Sequence, residues 1–258
     1  MKSFNFKSAA NTKEAMKMAS GRATFLAGGM TLLPAIKLRL AAYSDLINIK
    51  KIKALSGIKV SSKSLRIGAT TTHAEVASSK EVGKSISSLA VLADGIGDPQ
   101  VRNRGTIGGS IANNDPAADY PSACLALNAT IHTSKRKIPA NKFFKGMFET
   151  DLKKGELIES VEFEVPEKSA YAKFPNPASR YAIVGVYVAK LKKEVRVAVT
   201  GVESFVFRCK KLEDALTNNF SPSVIDNITI SSKGFNSDIH ASAEYRARSE
   251  DRRVGKEW

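Results

Sequence analysis

Cysteine is scarce in this chain of 258 residues, with only Cys124 and Cys209, far apart in sequence. A cluster held by cysteine alone needs four thiolates, and a zinc site needs paired ligands at short spacing. Neither pattern is present, so no iron–sulfur cluster and no metal site is expected, and both cysteines read as small core residues. Histidine is as thin, limited to His73, His132 and His240, too dispersed to suggest a catalytic metal. No run of about 18 apolar residues occurs, so no membrane span is expected. The first twenty residues have no apolar h-region and do not read as a signal peptide, which makes a cytoplasmic location the default. The single G-x-G-x-x-G of a Rossmann unit and the P-loop are both missing.

Acidic residues are also in deficit. Lys+Arg number 40 against 25 Asp+Glu, a net charge of +15. A nucleic-acid partner must be weighed against that figure. The basic residues are scattered, however, as Lys50, Lys51, Lys53, Lys59, Lys63, then Lys135, Arg136, Lys137, and later pairs. No binding motif interleaves aromatics with them, so nucleic acid is not expected. The charge fits a solvated surface, an acidic partner, an anionic cofactor or the inner face of a membrane.

What is present is a soluble globular composition, 43% hydrophobic. Lys13–Ser20 has the spacing of an amphipathic helix with Asn11 or Thr12 as N-cap. Ala23–Ala27 is a short apolar strand, Thr31–Leu40 a helix with Leu33, Ile36 and Leu40 on one face, and Asp45–Ile49 a second strand. Leu65–Ala69 reads as a strand running into Thr72 and Glu75, a capping-box spacing. Ile86–Ile96 and Ala117–Ala129 read as helices and Val161–Pro166 as a strand. From Tyr171 three antiparallel strands are expected, Tyr171–Phe174, Tyr181–Leu191 and Val195–Val202, followed by helices at Lys211–Asn218 and Ser221–Asn227.

Two glycine-rich segments stand apart from this pattern. In the first, Ala27, Gly28, Gly29, Met30 and Thr31 join a strand to a helix. In the second, which runs from Gly95 to Ser110, the stretch Thr106, Ile107, Gly108, Gly109 and Ser110 repeats a Gly-Gly beside a threonine. Glycine lets a ligand approach the backbone, whose N–H groups bind phosphate. Two such loops facing one another would clamp a pyrophosphate with backbone donors. Spacing alone does not distinguish FAD from NAD. Local ion pairs in a solvated loop are the plainer account of Asp98, Arg102 and Arg104. A surface position at a helix start is the plainer account of His73, and a core or interface position that of Tyr181 and Tyr187.

The segment GIGDPQVRNRGTIGGSIANNDPAADYPSA closely resembles the signature region of the flavin subunits of the molybdopterin-dependent hydroxylases. AGGMTLLPAIKLRLA resembles their first FAD loop, and LRIGATTTHAEV and SDIHASAEYRA match as well. Among relatives, medium subunits of the carbon monoxide dehydrogenase type and FAD-binding subunits of the xanthine dehydrogenase type fit best. The resemblance implies an α+β, PCMH-type FAD-binding fold of two subdomains over residues 1–170, divided near 57/58. A small α+β C-terminal domain with a three-stranded antiparallel sheet would follow over 171–247. FAD would be held without a covalent link, its pyrophosphate at Ala27–Thr31 and Thr106–Ser110. By position in the motif, Ile96 would lie near the flavin and Asp119 would hydrogen-bond in the site, and Ile158 and Lys173 map to flavin contacts. Ser110 stands where many relatives have Asn, and Met30-Thr31 where many have His-Ser.

The implied role is electron transfer, from [2Fe–2S] clusters in a small partner subunit through FAD to an external acceptor. Oxidation would occur at the molybdopterin centre of a large subunit, within a dimer of heterotrimers. No catalytic acid, base or nucleophile is therefore nominated. The alternatives are the FAD subunit of a xanthine, aldehyde or aromatic-substrate dehydrogenase, or a scaffold that binds no flavin. After Ala247 the resemblance stops. Residues 248–258 are charged, lack an apolar helical face and read as a non-native tail on a truncated last domain.

Overall fold

The computed structural model describes residues 2–226 and 228–254. The chain opens with β1 (Asn5–Ser8), α1 (Thr12–Met18), β2 (Ala23–Leu26), α2 (Leu32–Lys37) and β3 (Asp45–Asn48), a parallel sheet of order β1-β3-β2. Its first helix starts where expected, because the Asn11 side chain accepts from the Glu14 amide. The helix expected over Thr31–Leu40 is shorter, since the chain turns at Leu38 and Arg39 takes a left-handed φ of 62°.

Next come β4 (Ile58–Val60), β5 (Ser64–Gly68), α3 (His73–Ser78), α4 (Lys80–Ser85), α5 (Ser87–Asp94), α6 (Pro99–Arg102), α7 (Ile107–Asn113) and α8 (Tyr120–Ala126). They are followed by β6 (Thr130–Thr133), β7 (Lys137–Pro139), α9 (Ala140–Phe143), the hairpin β8 (Phe144–Gly146) and β9 (Glu149–Thr150), and β10 (Ile158–Glu164). The sheet order is β4-β5-β10-β6-β7, antiparallel throughout. The capping box at α3 is present with both reciprocal bonds, Thr72 Oγ1 accepting from the Glu75 amide and the Glu75 carboxylate from the Thr72 amide. α8 begins at Tyr120 rather than Ala117. Pro121 supplies its first turn, while Pro116 lies in the preceding turn and its carbonyl accepts from Gly201 N and Thr200 Oγ1.

The last part contains β11 (Lys168–Pro175), β12 (Ala182–Lys190), β13 (Val195–Thr200), β14 (Phe207–Arg208), α10 (Lys210–Asn218) and α11 (Ala243–Val254). Four antiparallel strands stand where the sequence pattern predicts three. The fourth is two residues long, too short to show a period, and pairs with Ala198 and Val199. Within 221–226, Pro222–Val224 form one 3-10 turn in place of a helix. The backbone of α11 runs through residues 248–254, where the sequence pattern predicts no helix. Arg and Glu are good helix formers even without an apolar face. Residues 255–258 of the expected tail lie outside the described residues.

Burial explains how these sheets join. β12 is buried on both faces along nearly its whole length. Tyr187 and Ala189 join the core of α3, α5, α8 and the five-stranded sheet, while Val184, Val186 and Val188 pack with Leu212 and Leu216 of α10. Each fully buried valine or leucine contributes about 1.5–3 kcal/mol relative to exposure, so one strand ties the two layers together. The division expected at 170/171 falls inside β11. The small parallel sheet has its own core of Ala15, Ile47, Ile49, Ile52, Leu55 and Leu157.

Candidate functional site

Between the parallel sheet and the start of α7 lies a cleft of about 520 Å³, within the range of small-molecule sites. It is lined by Ala27, Gly28, Gly29, Met30 and Thr31 from the first glycine segment. From the second come Ile96, Gly105, Thr106, Gly109 and Ser110, with Asp119 nearby. The two segments and the start of α8 thus surround one space. Ile107, Gly108, Ile158 and Lys173 do not line it. Ile107 and Ile158 are buried in the main core.

Gly28 is where the segments touch. A Cβ there would stand 2.1 Å from the Arg104 carbonyl oxygen and 2.8 Å from Gly105 Cα. Only glycine permits that approach. Gly29 then takes a φ of 76° and turns the chain into α2. The amides of Gly28, Gly29, Met30 and Thr31 have no acceptor among the described residues, although the carbonyls of Gly29 and Thr31 accept from Leu33 and Ala35. Consecutive free amides at a strand–helix turn form an anion-binding concavity.

The second glycine pair differs from expectation. It is not a loop but the first turn of α7, capped by Thr106, whose Oγ1 accepts from Gly109 N at 3.1 Å. Ile107 N donates to Thr71 O and Gly108 N to Ala69 O. A Cβ on Gly108 would lie 2.6 Å from Ala69 Cβ, so this glycine serves helix-to-strand packing. The run of consecutive free amides therefore belongs to the first segment, while the second provides a wall of the cleft.

At the α8 end of the cleft, Asp119 is buried and takes a hydrogen bond from Tyr171 Oη at 2.5 Å and an ion pair from Lys173 Nζ at 2.9 Å. Burial pushes its carboxyl above the usual range, opposed by the Lys173 ammonium and the Tyr171 hydroxyl. Asp115 also faces the cleft, and burial raises its carboxyl as well. These oxygens suit N–H and hydroxyl partners and repel phosphate. The cleft thus has free amide donors at one end and carboxylate acceptors at the other, a pairing that suits a dinucleotide carrying a hydrogen-bonding ring. Lys173 also donates to Gly95 O at 2.7 Å and Arg180 O at 3.0 Å. It fastens the 176–181 turn, from which Ser179, Arg180 and Tyr181 enter the cleft.

Two placements differ from the sequence reading. Tyr181 lines the cleft, whereas Tyr187 is a core residue whose hydroxyl is bonded to Ser88. His73 is buried rather than on the surface, because His73 N donates to Gly105 O and draws the ring under the second segment. Its Nε2 would lie 2.6 Å from a Cβ on Gly105, and its ring centroid is 5.4 Å from that of Tyr120. Burial, with the nearby Arg102 charge, lowers its pKa to about 4 from 6.5. A histidine with a depressed folded value contributes stability in full above the unfolded value, and loses it as pH falls from 6.5 toward 4. The loss is on the order of 3 kcal/mol. Urea midpoints at neutral pH and near pH 4 should therefore diverge in the parent, and diverge less in His73→Gln. Equal divergence in both would place the acid sensitivity elsewhere.

The likeness to known proteins extends from sequence to fold. Residues 2–167 match the family described as the FAD binding domain in molybdopterin dehydrogenase. The chain is 36% identical over 247 residues to the glyceraldehyde dehydrogenase medium chain of Sulfolobus acidocaldarius, covering 87% of this chain and 88% of that protein. It is 37% identical over 200 residues to the carbon monoxide dehydrogenase medium chain of Hydrogenophaga pseudoflava, covering 72% and 69% respectively. A solved carbon monoxide dehydrogenase from Hydrogenophaga pseudoflava superimposes with a TM-score of 0.88 at 30% identity, over 99% of this chain and 96% of that one.

Proposed function

The chain belongs to the FAD-binding domain family of the molybdopterin dehydrogenases, and we propose that it works as the electron-transfer subunit of a molybdenum hydroxylase complex. Its flavin would take electrons from [2Fe–2S] clusters of a small partner subunit and pass them to an external acceptor. Substrate oxidation would belong to a large molybdopterin subunit. The relatives include medium chains of both carbon monoxide and glyceraldehyde dehydrogenases, so the choice of substrate is assigned to that large subunit. Among the described residues no helix is long and apolar enough to cross a membrane.

One observation carries the proposal: the free amides of Gly28–Thr31 and the Asp115–Asp119 carboxylates sit at one cleft, closed by contact between Gly28 and Arg104. The amides would hold the diphosphate and the carboxylates the polar edge of the ring. Bound FAD supplies the capacity to exchange one or two electrons. The protein binds and orients it, which is why no acid, base or nucleophile is needed. Residues that meet this description are Ala27, Gly28, Gly29, Met30, Thr31, Ile96, Thr106, Gly109, Ser110 and Asp119, with Lys173 acting through Asp119 and the 176–181 turn.

The test is to purify the tagged chain from its source cells and measure FAD, iron and molybdenum. About one FAD per chain is expected, with iron and molybdenum in the same complex, and substrate should bleach the flavin of the complex but not of the isolated chain. A chain that never holds flavin would leave only the scaffold alternative.

A further inference from the structure

The hairpin of β8 and β9 ends in an apolar pair that the fold does not use. Phe143, just before the hairpin, and Phe144, its first residue, are buried in the main core. Met147 and Phe148 at the tip are 53% and 58% exposed. Phe148 also adopts a left-handed φ of 56°, a conformation that side chains other than glycine rarely take. Such backbone persists only where its surroundings enforce it. Here the enforcing residue is Asn114, fully buried and itself at a φ of 46°. Its Nδ2 donates to Gly146 O and Glu149 O, both at 2.8 Å, and its main-chain carbonyl accepts from Phe148 N at 3.1 Å. The exposed aromatic is thus held in place by a buried amide that spans the hairpin.

Asn114 caps α7, and the residues on either side of it, Asn113 and Asp115, line the flavin cleft. The tip's main chain is thus bonded to a residue whose two chain neighbours line the cleft. The rim is basic. Between 142 and 154 stand Lys142, Lys145, Lys153 and Lys154 against Glu149 and Asp151, and Arg136 already occupies Asp151 at 2.8 Å.

We propose that the Met147–Phe148 tip is the docking knob for the subunit that delivers electrons to this flavin, a protein presenting an apolar socket ringed by carboxylates. The inference rests on the electron-transfer reading above. It adds where the donor sits, on the α7 side of the cleft, and how it is selected. An aromatic anchor in a socket supplies affinity and a charged rim supplies orientation. Electron transfer falls steeply with distance, so a donor is best placed where docking and cofactor share one wall.

The experiment compares the tagged parent with Phe148→Asn and with Met147→Ser/Phe148→Asn, each purified from its source cells. Asparagine tolerates the left-handed conformation, so the hairpin keeps its shape. FAD per chain should stay at the parental value in both variants. The iron-to-FAD ratio of the complex should fall at least tenfold in the double variant, and substrate-driven flavin reduction should slow with it. An iron-to-FAD ratio and reduction rate equal to the parent's would overturn the knob while leaving the electron-transfer reading intact. Loss of FAD together with iron would also overturn it, by making the tip part of the cofactor site. A parent without flavin or iron would sink the functional reading and this inference together. If the isolated chain is a dimer and Phe148→Asn makes it a monomer, the occupant is a second copy and the proposal fails.

Discussion

Replacing Gly28 by alanine should empty the flavin site. A new Cβ would stand 2.1 Å from the Arg104 carbonyl oxygen, 2.7 Å from its carbon and 2.8 Å from Gly105 Cα. All three are backbone atoms, so no side chain can swing aside. The Gly28 turn and the 104–105 turn must separate, and the row of free amides at Gly28–Thr31 moves with them. Overpacking costs about 1–3 kcal/mol, and this case belongs at the top of that range. Expressed wholly in binding, about 3 kcal/mol is a loss of affinity on the order of 100-fold. Gly83→Ala is the control. Gly83 lies in α4, where an added Cβ would meet nothing within 4 Å and the backbone is not left-handed. Alanine there should be neutral or stabilise by about 0.5–1 kcal/mol. Flavin titration of apo-protein, with melting curves taken without FAD, separates binding from folding. Parental affinity in Gly28→Ala would show that the contact between the segments does not shape the site.

Much of this arrangement is legible from local rules. The strand, glycine pair and helix at 23–37 follow from periodicity and punctuation, and the Thr72–Glu75 box from two residue types three apart. The alternation of β12 and β13 announces an antiparallel pair. Other features are not local. α7 is hidden from a local reading because glycines at 108 and 109 argue against a helix. What overrides them is the close packing of Gly108 on Ala69, a contact across 39 positions of sequence. Tyr181 and Arg180 enter the cleft on a turn closed by Asn176 and tied by Lys173 to Gly95 and Asp119, partners 78 and 54 positions away. His73 reads as a polar helix start, and its burial depends on the backbone bond to Gly105. The resemblance of the signature region supplies what spacing cannot, namely that the dinucleotide is FAD.

Lys173→Met should be the most damaging change outside the glycine contact, and its cost should depend on pH. The Asp119 carboxylate is 4% exposed and the Lys173 side chain 9%. Removing the ammonium leaves a buried charge answered by the Tyr171 hydroxyl and its own main-chain amide, with no counter-charge. Breaking such a pair costs about 3–5 kcal/mol. Burial already lifts the Asp119 carboxyl above the ordinary carboxylate range, with Lys173 the largest opposing influence, so the variant lifts it further. A carboxyl raised in the folded state favours folding below its unfolded value, and that advantage is lost as pH rises through the folded value. The deficit of Lys173→Met relative to the parent should therefore be smallest near pH 4 and widen toward neutrality. Urea midpoints across that interval measure it directly. Adding Asp119→Asn removes the buried charge, and the double variant should recover most of the loss at neutral pH while still binding FAD weakly, because the 176–181 turn has lost its clasp. A deficit flat with pH, or a double variant no better than the single, would mean that Lys173 contributes packing of its stem rather than compensation of Asp119.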